Sequence, residues 1–261
     1  MMTEVIRTTK NKNYKYIKSL SQKKTRTAEG VFTVEGVKSV SDAAAAGMRI
    51  RLIAMSESFY GTEGAAAFTG YKHIVVQDGL FGGLCDTETP QGITAVLEMF
   101  TEDAFSYKEN GLYVCCDRVA DPGNLGTIIR TADAAGFDGV LLSPGCADLY
   151  GPKTVRASMG SFFHIPFKRD VGKEELIGLR GRGFRLYAGA LTEDAEPYTD
   201  ADLTAPAVII VGNEANGVSD EILSVSRHII IPIYGRAESL NVGAAAAVLM
   251  YEAARQLGCA R

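Results

Sequence analysis

Residues 121–136, DPGNLGTIIRTADAAG, begin as a turn and continue as an amphipathic helix, and the fold prediction starts from them. Pro122 and Gly123 indicate the turn. Asn124 is placed to cap the helix, because its side chain can accept a free backbone N–H. Gly136 is expected to end the helix. Between them an apolar stripe at helical spacing predicts a face that packs on a core: Leu125, Ile128, Ile129, Ala132 and Ala135.

Arg130 occupies the other side of this helix. At about 100° per residue it lies away from the apolar stripe, beside Gly126 and Thr127. Gly126 leaves room for an approaching group, and the planar guanidinium of Arg130 suits a phosphate or a carboxylate. The alternative interpretation is a capped helix that carries an exposed arginine and binds nothing.

The second half of the chain alternates apolar runs with helical segments. Unalternated apolar runs separated by helices indicate a mostly parallel sheet covered on both faces, hence an α/β fold. The runs are LYVCC (112–116), GVLLS (139–143), FFHIPF (162–167), FRLYAGAL (184–191), AVIIVG (207–212) and HIIIPI (228–233).

The first hundred residues predict a smaller α/β unit. The segment VKSVSDAAAAG (37–47) has helical character, and the strand candidates are GVFTVEG, IRLIAMS, HIVVQDG and GITAVLEMF. The polar stretch FTEDAFSYKENG (100–111) interrupts the pattern. We therefore expect two domains, residues 1–104 and residues 105–261.

Charge is distributed unevenly along the chain. Residues 1–30 hold eight Lys or Arg against two acids, a net charge of +6, which leaves −10 for the rest of a chain whose formal charge is −4. Tyr14 and Tyr16 are interleaved with these bases. A basic segment with aromatic residues suits a phosphate backbone and stacked bases. A solvated N-terminal arm is the equally open alternative.

Several functional classes are disfavoured. The five cysteines include no C-x-x-C pair and suit reduced thiols, and the three histidines lack metal-ligand spacing, so we expect no metal site. No Walker A sequence is present, and no G-x-G-x-x-G follows the first strand. No apolar run reaches the roughly 18 residues of a membrane span, and the N-terminus lacks an apolar signal region. We expect a cytoplasmic protein that does not enter a membrane.

Two further loops carry polar groups. Ligands of open parallel sheets bind at the carboxyl ends of the strands, so the loops that follow apolar runs are candidate sites. The segment VGNEANGV (211–218) offers Asn213, Glu214 and Asn216. In IPIYGRAESLNVGAAAAV (231–248), Ser239 or Asn241 is placed to cap a final helix. Taken singly, each loop is also explained as a turn with a cap.

Together the three loops resemble one family. NLGTIIRTA, GNEANGV and ESLNVGAAAAVLMYEA look like the three motifs of the SpoU/TrmH RNA 2′-O-ribose methyltransferases of the SPOUT superfamily. The segment LYGPKTVRASMGSFFHIP resembles the intermediate segment of that family, with Arg156, Ser158 and Gly160. The N-terminal residues more weakly resemble the attached substrate-binding domain, which is similar to a small ribosomal protein. The resemblance covers nearly the whole chain.

This resemblance implies a cofactor and a site. The cofactor would be S-adenosylmethionine (AdoMet), held in a deep trefoil knot, and the chain would form a homodimer through its catalytic domain. Backbone around Gly212, Ile231 and Leu240 would line the cofactor pocket. The residues around the reacting ribose would be Asn124, Arg130, Glu214, Ser239 and Asn241. Gly243 departs from the pattern, since the family more often has a small polar residue there.

The implied chemistry assigns separate roles to the charged residues. A guanidinium has a pKa above about 12, so Arg130 is better suited to binding phosphate and orienting the hydroxyl than to removing its proton. Glu214 either accepts the proton through water or only orients the neighbouring asparagine and arginine side chains.

The resulting prediction is an AdoMet-dependent RNA 2′-O-methyltransferase that acts on large-subunit rRNA. Transfer RNA is the alternative substrate. A noncatalytic RNA-binding or ribosome-assembly protein of the same fold is the rival from another class. A small-molecule enzyme on a Rossmann-like sheet is a third alternative, which the missing glycine fingerprint disfavours.

Overall fold

The computed structural model describes residues 5–101 and 105–258. These residues form two compact units. The first comprises the chain up to Phe100 together with Tyr150–Phe163, and the second comprises Thr101–Leu149 and the chain from His164 onward. Each unit is built around its own sheet.

The secondary structure follows the apolar pattern of the sequence. The strands of the described residues are β1 Val5–Ile6, β2 Val31–Glu35, β3 Ile50–Ser56, β4 His73–Val76, β5 Ile93–Glu98, β6 Leu112–Cys116, β7 Gly139–Leu142, β8 Phe167–Lys168, β9 Arg185–Gly189, β10 Glu196–Pro197, β11 Ala207–Val211 and β12 Arg227–Ile230. The helices are α1 Lys12–Ser19, α2 Lys23–Glu29, α3 Val37–Ala45, α4 Glu57–Tyr60, α5 Asp78–Phe81, α6 Pro122–Ala134, α7 Pro152–Ala157, α8 Lys173–Gly181, α9 Asp220–Leu223 and α10 Val242–Gln256.

The first unit contains a mixed sheet in the order β1-β4-β3-β5-β2. Strands β1, β4 and β3 are parallel, and β5 is antiparallel to both β3 and β2. Tyr14 of α1 lies in the core at 2% exposure, and its hydroxyl donates to the carbonyl of Leu80. Of the two interpretations left open for the basic segment, base stacking is therefore not available to Tyr14. Its helical spacing places it on the buried face of α1, and Tyr16 is half-buried.

The basic segment nevertheless presents a positive surface. Arg26 is buried and donates to the carbonyls of Leu20 and Ser21, so it stabilises the end of α1 from inside. Six lysines of the segment are exposed: Lys10, Lys12, Lys15, Lys18, Lys23 and Lys24.

The second unit contains a sheet in the order β10-β12-β9-β11-β6-β7-β8, and every strand pair in it is parallel. All residues of β6 and β11 are buried, as expected for central strands covered on both faces. The predicted α/β fold with a parallel sheet is confirmed.

One predicted strand is wrong. FFHIPF does not form a strand over 162–167; Ser161–Phe163 forms a 3₁₀ turn, and the short strand is Phe167–Lys168. Pro166 lacks the N–H that an interior strand residue needs, so pairing begins only after it. Phe162 instead packs in the first unit, with its ring centroid 5.4 Å from that of Phe32.

The helices that carry the motifs pack on each other. α6 ends where predicted, with Gly136 in the left-handed region at φ +78°. α10 packs on α6 and on β11. Within residues 5–101 and 105–258, none of the helices combines the length and apolar character needed to cross a membrane.

Candidate active site

The carboxyl ends of three neighbouring strands form the edge at which the motifs meet. β9 lies between β11 and β12, and all three run in the same direction. Gly212 follows β11, Ala190 follows β9 and Ile231 follows β12. These three residues therefore lie along one edge of the sheet. The segment at Ala190 was missed by the sequence reasoning, because sheet order is not readable from a single sequence.

Gly212 allows the loop after β11 to fold back on the strand. A Cβ at this position would lie 2.1 Å from the carbonyl carbon of Gly217 and 2.1 Å from the amide nitrogen of Val218, so only glycine fits. Asn213 and Gly217 close the loop with two backbone hydrogen bonds of 2.9 and 2.8 Å. The loop is thus a fixed structure that holds Glu214 at the edge of the sheet.

Asn124, Glu214 and Asn241 form one hydrogen-bonded group. The side-chain Nδ2 of Asn124 donates to Oε1 of Glu214 at 2.8 Å. Nδ2 of Asn241 donates to Oδ1 of Asn124 at 3.0 Å. Each residue comes from a different motif, so the fold brings all three motifs to one point.

Helix ends position two members of this group. Asn241 caps α10, with its Oδ1 accepting from the amides of Gly243 and Ala244 at 2.9 and 3.3 Å. Asn124 does not cap α6, contrary to the prediction. The cap is Asp121, whose Oδ1 accepts from the amide of Asn124 at 2.8 Å. An Asp directly before a proline at the first helical position was the available sequence signal.

Gly243 has a packing role at the start of α10. A Cβ there would lie 3.3 Å from Cγ2 of Thr127 on α6 and 3.2 Å from Oδ1 of Asn241. Glycine at this position therefore lets α10 approach α6 closely beside the capping asparagine.

Arg130, Ser239 and Leu240 lie outside the hydrogen-bonded group. Arg130 and Ser239 are exposed, and neither makes a hydrogen bond or salt bridge with another described residue. Arg130 is six residues beyond Asn124, which is about 9 Å along the helix axis. Gly126 is buried, so it does not provide the open space expected beside Arg130.

A buried carboxylate, missed by the sequence reasoning, ties three loops together beneath the site. Asp117, directly after β6, is 2% exposed. Its Oδ1 accepts from the hydroxyl of Ser143 at 3.0 Å, and its Oδ2 accepts from the amide of Ser219 at 2.7 Å. Nδ2 of Asn213 donates to the carbonyl of Arg118 at 2.9 Å, which adds a further tie. An acid immediately after a buried strand was the signal in the sequence.

Two buried thiols next to this site belong to the core of the second unit. Cys115 and Cys116 are fully buried, and burial raises the pKa of both thiols well above the ordinary value, so they remain protonated core residues. Cys259 lies outside the described residues. Within residues 5–101 and 105–258, no group of three or more His, Cys, Asp or Glu side chains is arranged to hold a metal ion.

Two family models match this chain, one for each half. A model described as the SpoU rRNA methylase family matches residues 111–251. A second model, described as an MRM3-like substrate binding domain, matches residues 11–95.

Individual relatives match over most of the chain. A 23S rRNA (guanosine(2553)-2′-O)-methyltransferase of Bacillus subtilis is 38% identical over 94% of this chain and 97% of its own length. The crystal structure of an AdoMet-bound rRNA methyltransferase from Sinorhizobium meliloti has a TM-score of 0.86 and 33% identity, covering 97% of this chain and 98% of that chain. A tRNA (guanosine(18)-2′-O)-methyltransferase of Escherichia coli is 34% identical over 57% of this chain and 65% of its own length.

Proposed function

The chain belongs to the SpoU rRNA methylase family, and on that premise we propose that it transfers a methyl group from AdoMet to a ribose 2′-hydroxyl of large-subunit rRNA. The family predicted from the sequence is confirmed, and AdoMet is bound in the crystal structure of the similar Sinorhizobium meliloti rRNA methyltransferase. The single observation that carries the proposal is the hydrogen-bonded group of Asn124, Glu214 and Asn241.

We propose that AdoMet binds at the edge formed by β11, β9 and β12. Because Gly212 has no Cβ, the loop after β11 folds tightly and keeps its backbone groups at the end of the strand, where a ligand can contact them. Leu191, just after β9, is 67% exposed, and Leu240 is 40% exposed, so apolar side chains are available to cover a ligand. Gly212, Ile231 and Leu240 would hold the cofactor, together with the segment after β9. When bound, the sulfonium of AdoMet supplies a methyl group that is already activated.

The chain's own residues bind and orient the RNA. Asn124, fixed between Glu214 and Asn241, presents the polar surface against which the ribose is held. Arg130 binds a phosphate near the target ribose, since its guanidinium is free among the described residues and suits a phosphate. Ser239, in the segment before Asn241, contributes a hydroxyl to the same surface. Alignment of this kind supplies up to roughly 7–11 kcal/mol of barrier reduction.

Glu214 acts chiefly by orientation. Its Oε1 already accepts from Asn124, so the carboxylate fixes which way that amide points. With the amide nitrogen turned toward Glu214, the oxygen of Asn124 accepts from Asn241. Of the two roles that the sequence leaves open for Glu214, these contacts support orientation rather than proton acceptance.

Ribosomal RNA is the preferred substrate because of the extent of the matches. The relative named for 23S rRNA matches over 94% of this chain, whereas the relative named for tRNA matches over 57%. The first unit, which carries the six exposed lysines, is the part we propose to select the RNA.

We retain residues 1–104 and 105–261 as the two domains. Tyr150–Phe163 of the catalytic half packs in the first compact unit.

Two architectural features are part of the proposal. The chain leaves β12, next to one edge of the sheet, and returns through residues 231–241 to α10, which packs on α6 and β11. We propose that this return passage forms the trefoil knot of the family.

We also propose a homodimer through the catalytic domain, in which a second copy covers Tyr251 of α10, 54% exposed in the single chain. The proposed location is the cytoplasm, where the thiols stay reduced.

Cofactor binding and methyl transfer together test the proposal. Calorimetry with S-adenosylhomocysteine is expected to give one site per chain, and labelled AdoMet is expected to label RNA. Binding without any transfer would favour the noncatalytic RNA-binding protein. A pure RNA binder, however, has no need of a fixed group that joins three distant motifs.

A further inference from the structure

His228 of β12 contacts the loop that follows β9. We call residues 190–195 the 190–195 loop. The ring Nδ1 of His228 lies 3.0 Å from Oγ1 of Thr192 and 2.9 Å from Oδ1 of Asp194, both in this loop. The ring Nε2 lies 3.2 Å from the carbonyl of Leu223. The ring side chain is 16% exposed, whereas that of Asp194 is 73% exposed.

These partners fix which ring nitrogen carries a proton. The carbonyl of Leu223 can only accept, so Nε2 carries a hydrogen in either charge state. In the neutral ring Nδ1 is then an acceptor, and its matching partner is the hydroxyl of Thr192. In the charged ring Nδ1 is a donor, and its matching partner is the carboxylate of Asp194. Protonation of His228 therefore adds a charge-assisted hydrogen bond to Asp194, whereas the hydroxyl of Thr192 can pair with the ring in either charge state.

Position makes this contact relevant to the cofactor. The amide of Ala190 donates to the carbonyl of Ile229 at 3.0 Å, so the loop proper begins at Leu191, directly at the edge between Gly212 and Ile231. We propose that His228 is a positioning residue for the AdoMet site, whose charged ring holds the 190–195 loop through Asp194 in the arrangement that binds the cofactor. This inference rests on the proposed function of that edge.

The elements around the ring carry other charged groups, including Asp220 and Glu221 of α9, the helix whose Leu223 carbonyl faces Nε2. Arg227 precedes His228 on β12, Glu196 of β10 pairs with Ile229, and Glu193 lies between the two loop partners. None of these five residues makes a hydrogen bond or salt bridge to the ring within the part of the chain that the structure describes. The strand residue opposite His228 is Ala188, which is uncharged. The hydrogen bond to Asp194 raises the pKa of His228 above its usual 6.5 and lowers the pKa of Asp194.

The direction of the pH effect follows. The ring pKa is raised when the Asp194 contact is formed, so the ion pair is complete between the pKa of Asp194 and that of His228 and disappears as the pH rises through the pKa of His228. Affinity for S-adenosylhomocysteine is expected to fall about two- to fivefold across this range, as suits a partly exposed ion pair. Above it, Thr192 is the remaining partner.

Calorimetry with S-adenosylhomocysteine from pH 6 to 9 tests the inference in the full chain. At pH 6, His228→Gln and Asp194→Asn are expected to bind S-adenosylhomocysteine about two- to fivefold more weakly than wild type. Both variants are expected to lose the pH dependence of this affinity. Thr192→Val is expected to keep the low-pH affinity and to bind more weakly than wild type at pH 9. The matched control is His164→Gln. His164 is exposed in the same unit, with Nδ1 3.6 Å from Oδ2 of Asp133, and it should reproduce the wild-type profile.

An NMR titration of the His228 ring without cofactor gives a second readout. Asp194→Asn is expected to lower its pKa, and a ring pKa unchanged by that substitution would overturn the inference. Equal affinities of wild type, His228→Gln and Asp194→Asn at every pH would overturn it as well, while leaving the proposed function intact. Wild-type protein that binds no S-adenosylhomocysteine would instead refute the proposed function, and this inference with it.

Discussion

Asn124 donates its side-chain amide to Glu214 across 2.8 Å, although 90 residues separate them in the chain. The oxygen of the same amide accepts from Asn241. An amide held at both ends has one orientation, so in the proposed site the polar surface offered to the ribose is set before the substrate arrives. Such preorganisation is what a reaction limited by alignment requires.

Glu214 is expected to tolerate loss of its charge better than loss of its side chain. Glu214→Gln keeps an oxygen that accepts from Asn124, so single-turnover methyl transfer should stay within about tenfold of wild type. Glu214→Ala should lose substantially more, with unfolding free energy changed by less than about 0.5 kcal/mol because the residue is exposed. The control is Glu221→Gln, an exposed acid on α9. A loss of about 10²–10⁴-fold in the Gln variant would instead make Glu214 the proton acceptor.

Asn241 has two functions that different substitutions separate. Asn241→Ala removes the cap of α10 and should lower the unfolding free energy by about 0.5–2 kcal/mol. Asn241→Asp keeps an accepting oxygen for the cap but cannot donate to Asn124, so stability should be retained while transfer falls. Denaturant unfolding and single-turnover transfer measure the two effects. Wild-type transfer by the Asp variant would show that the link to Asn124 is dispensable.

Gly212 should not tolerate even alanine. The added methyl would lie 2.1 Å from backbone atoms of Gly217 and Val218, and backbone cannot move aside as a flexible side chain can. The loop must rearrange, at about 1–3 kcal/mol or more. Gly212→Ala is expected to weaken S-adenosylhomocysteine binding by about tenfold or more, equivalent to about 1.4 kcal/mol. The control is Gly178→Ala on α8, which meets nothing within 4 Å. An unchanged affinity in Gly212→Ala would remove this loop from the cofactor site.

The exposed lysines of the first unit should control RNA affinity. Deleting residues 1–104 would remove Phe32, on which Phe162 packs, and would therefore disturb the packing of the remaining chain. Substitutions at the surface are the better test. Replacing Lys12, Lys15 and Lys18 by alanine should weaken rRNA binding and lower the salt slope by about 0.7–0.9 for each phosphate that is no longer neutralised. Lys72→Ala, an exposed lysine of the same unit outside the basic segment, is the control. S-adenosylhomocysteine affinity should not change. An unaltered salt slope in the triple variant would place the RNA elsewhere.

Much of the fold could be predicted from local pattern. LYVCC and AVIIVG form the central strands because runs of that length without polar residues are stable only when both faces are covered. The strand predicted for FFHIPF was wrong because Pro166 cannot donate a ladder hydrogen bond, whatever the apolar composition of the segment. Tyr14 is buried because its helical spacing with Ile17 and Leu20 places all three on the packed face of α1, and the lysines between them do not change that face.

The site itself was less predictable than its members. The residue types were recognisable from their motifs, but the contacts of Asn124 with Glu214 and Asn241 depend on sheet order and on how α10 meets α6. Asp121 caps α6 because Pro122 is favoured at the first helical position, which makes the residue before it the cap. His228 and Asp194 carry no motif at all, and only the pairing of β12 with β9 brings them together.

The central claim is tested most directly by single-turnover transfer of labelled methyl from AdoMet to large-subunit rRNA, with the product mapped to a nucleotide. Wild-type protein is expected to label one ribose 2′-hydroxyl. Arg130→Ala should bind AdoMet with wild-type affinity and transfer at least about 10²-fold more slowly, and Arg130→Lys should also be poor because an ammonium lacks the planar fork. Wild-type protein that binds AdoMet but leaves the rRNA unlabelled, or Arg130→Ala that transfers at the wild-type rate, would contradict the account.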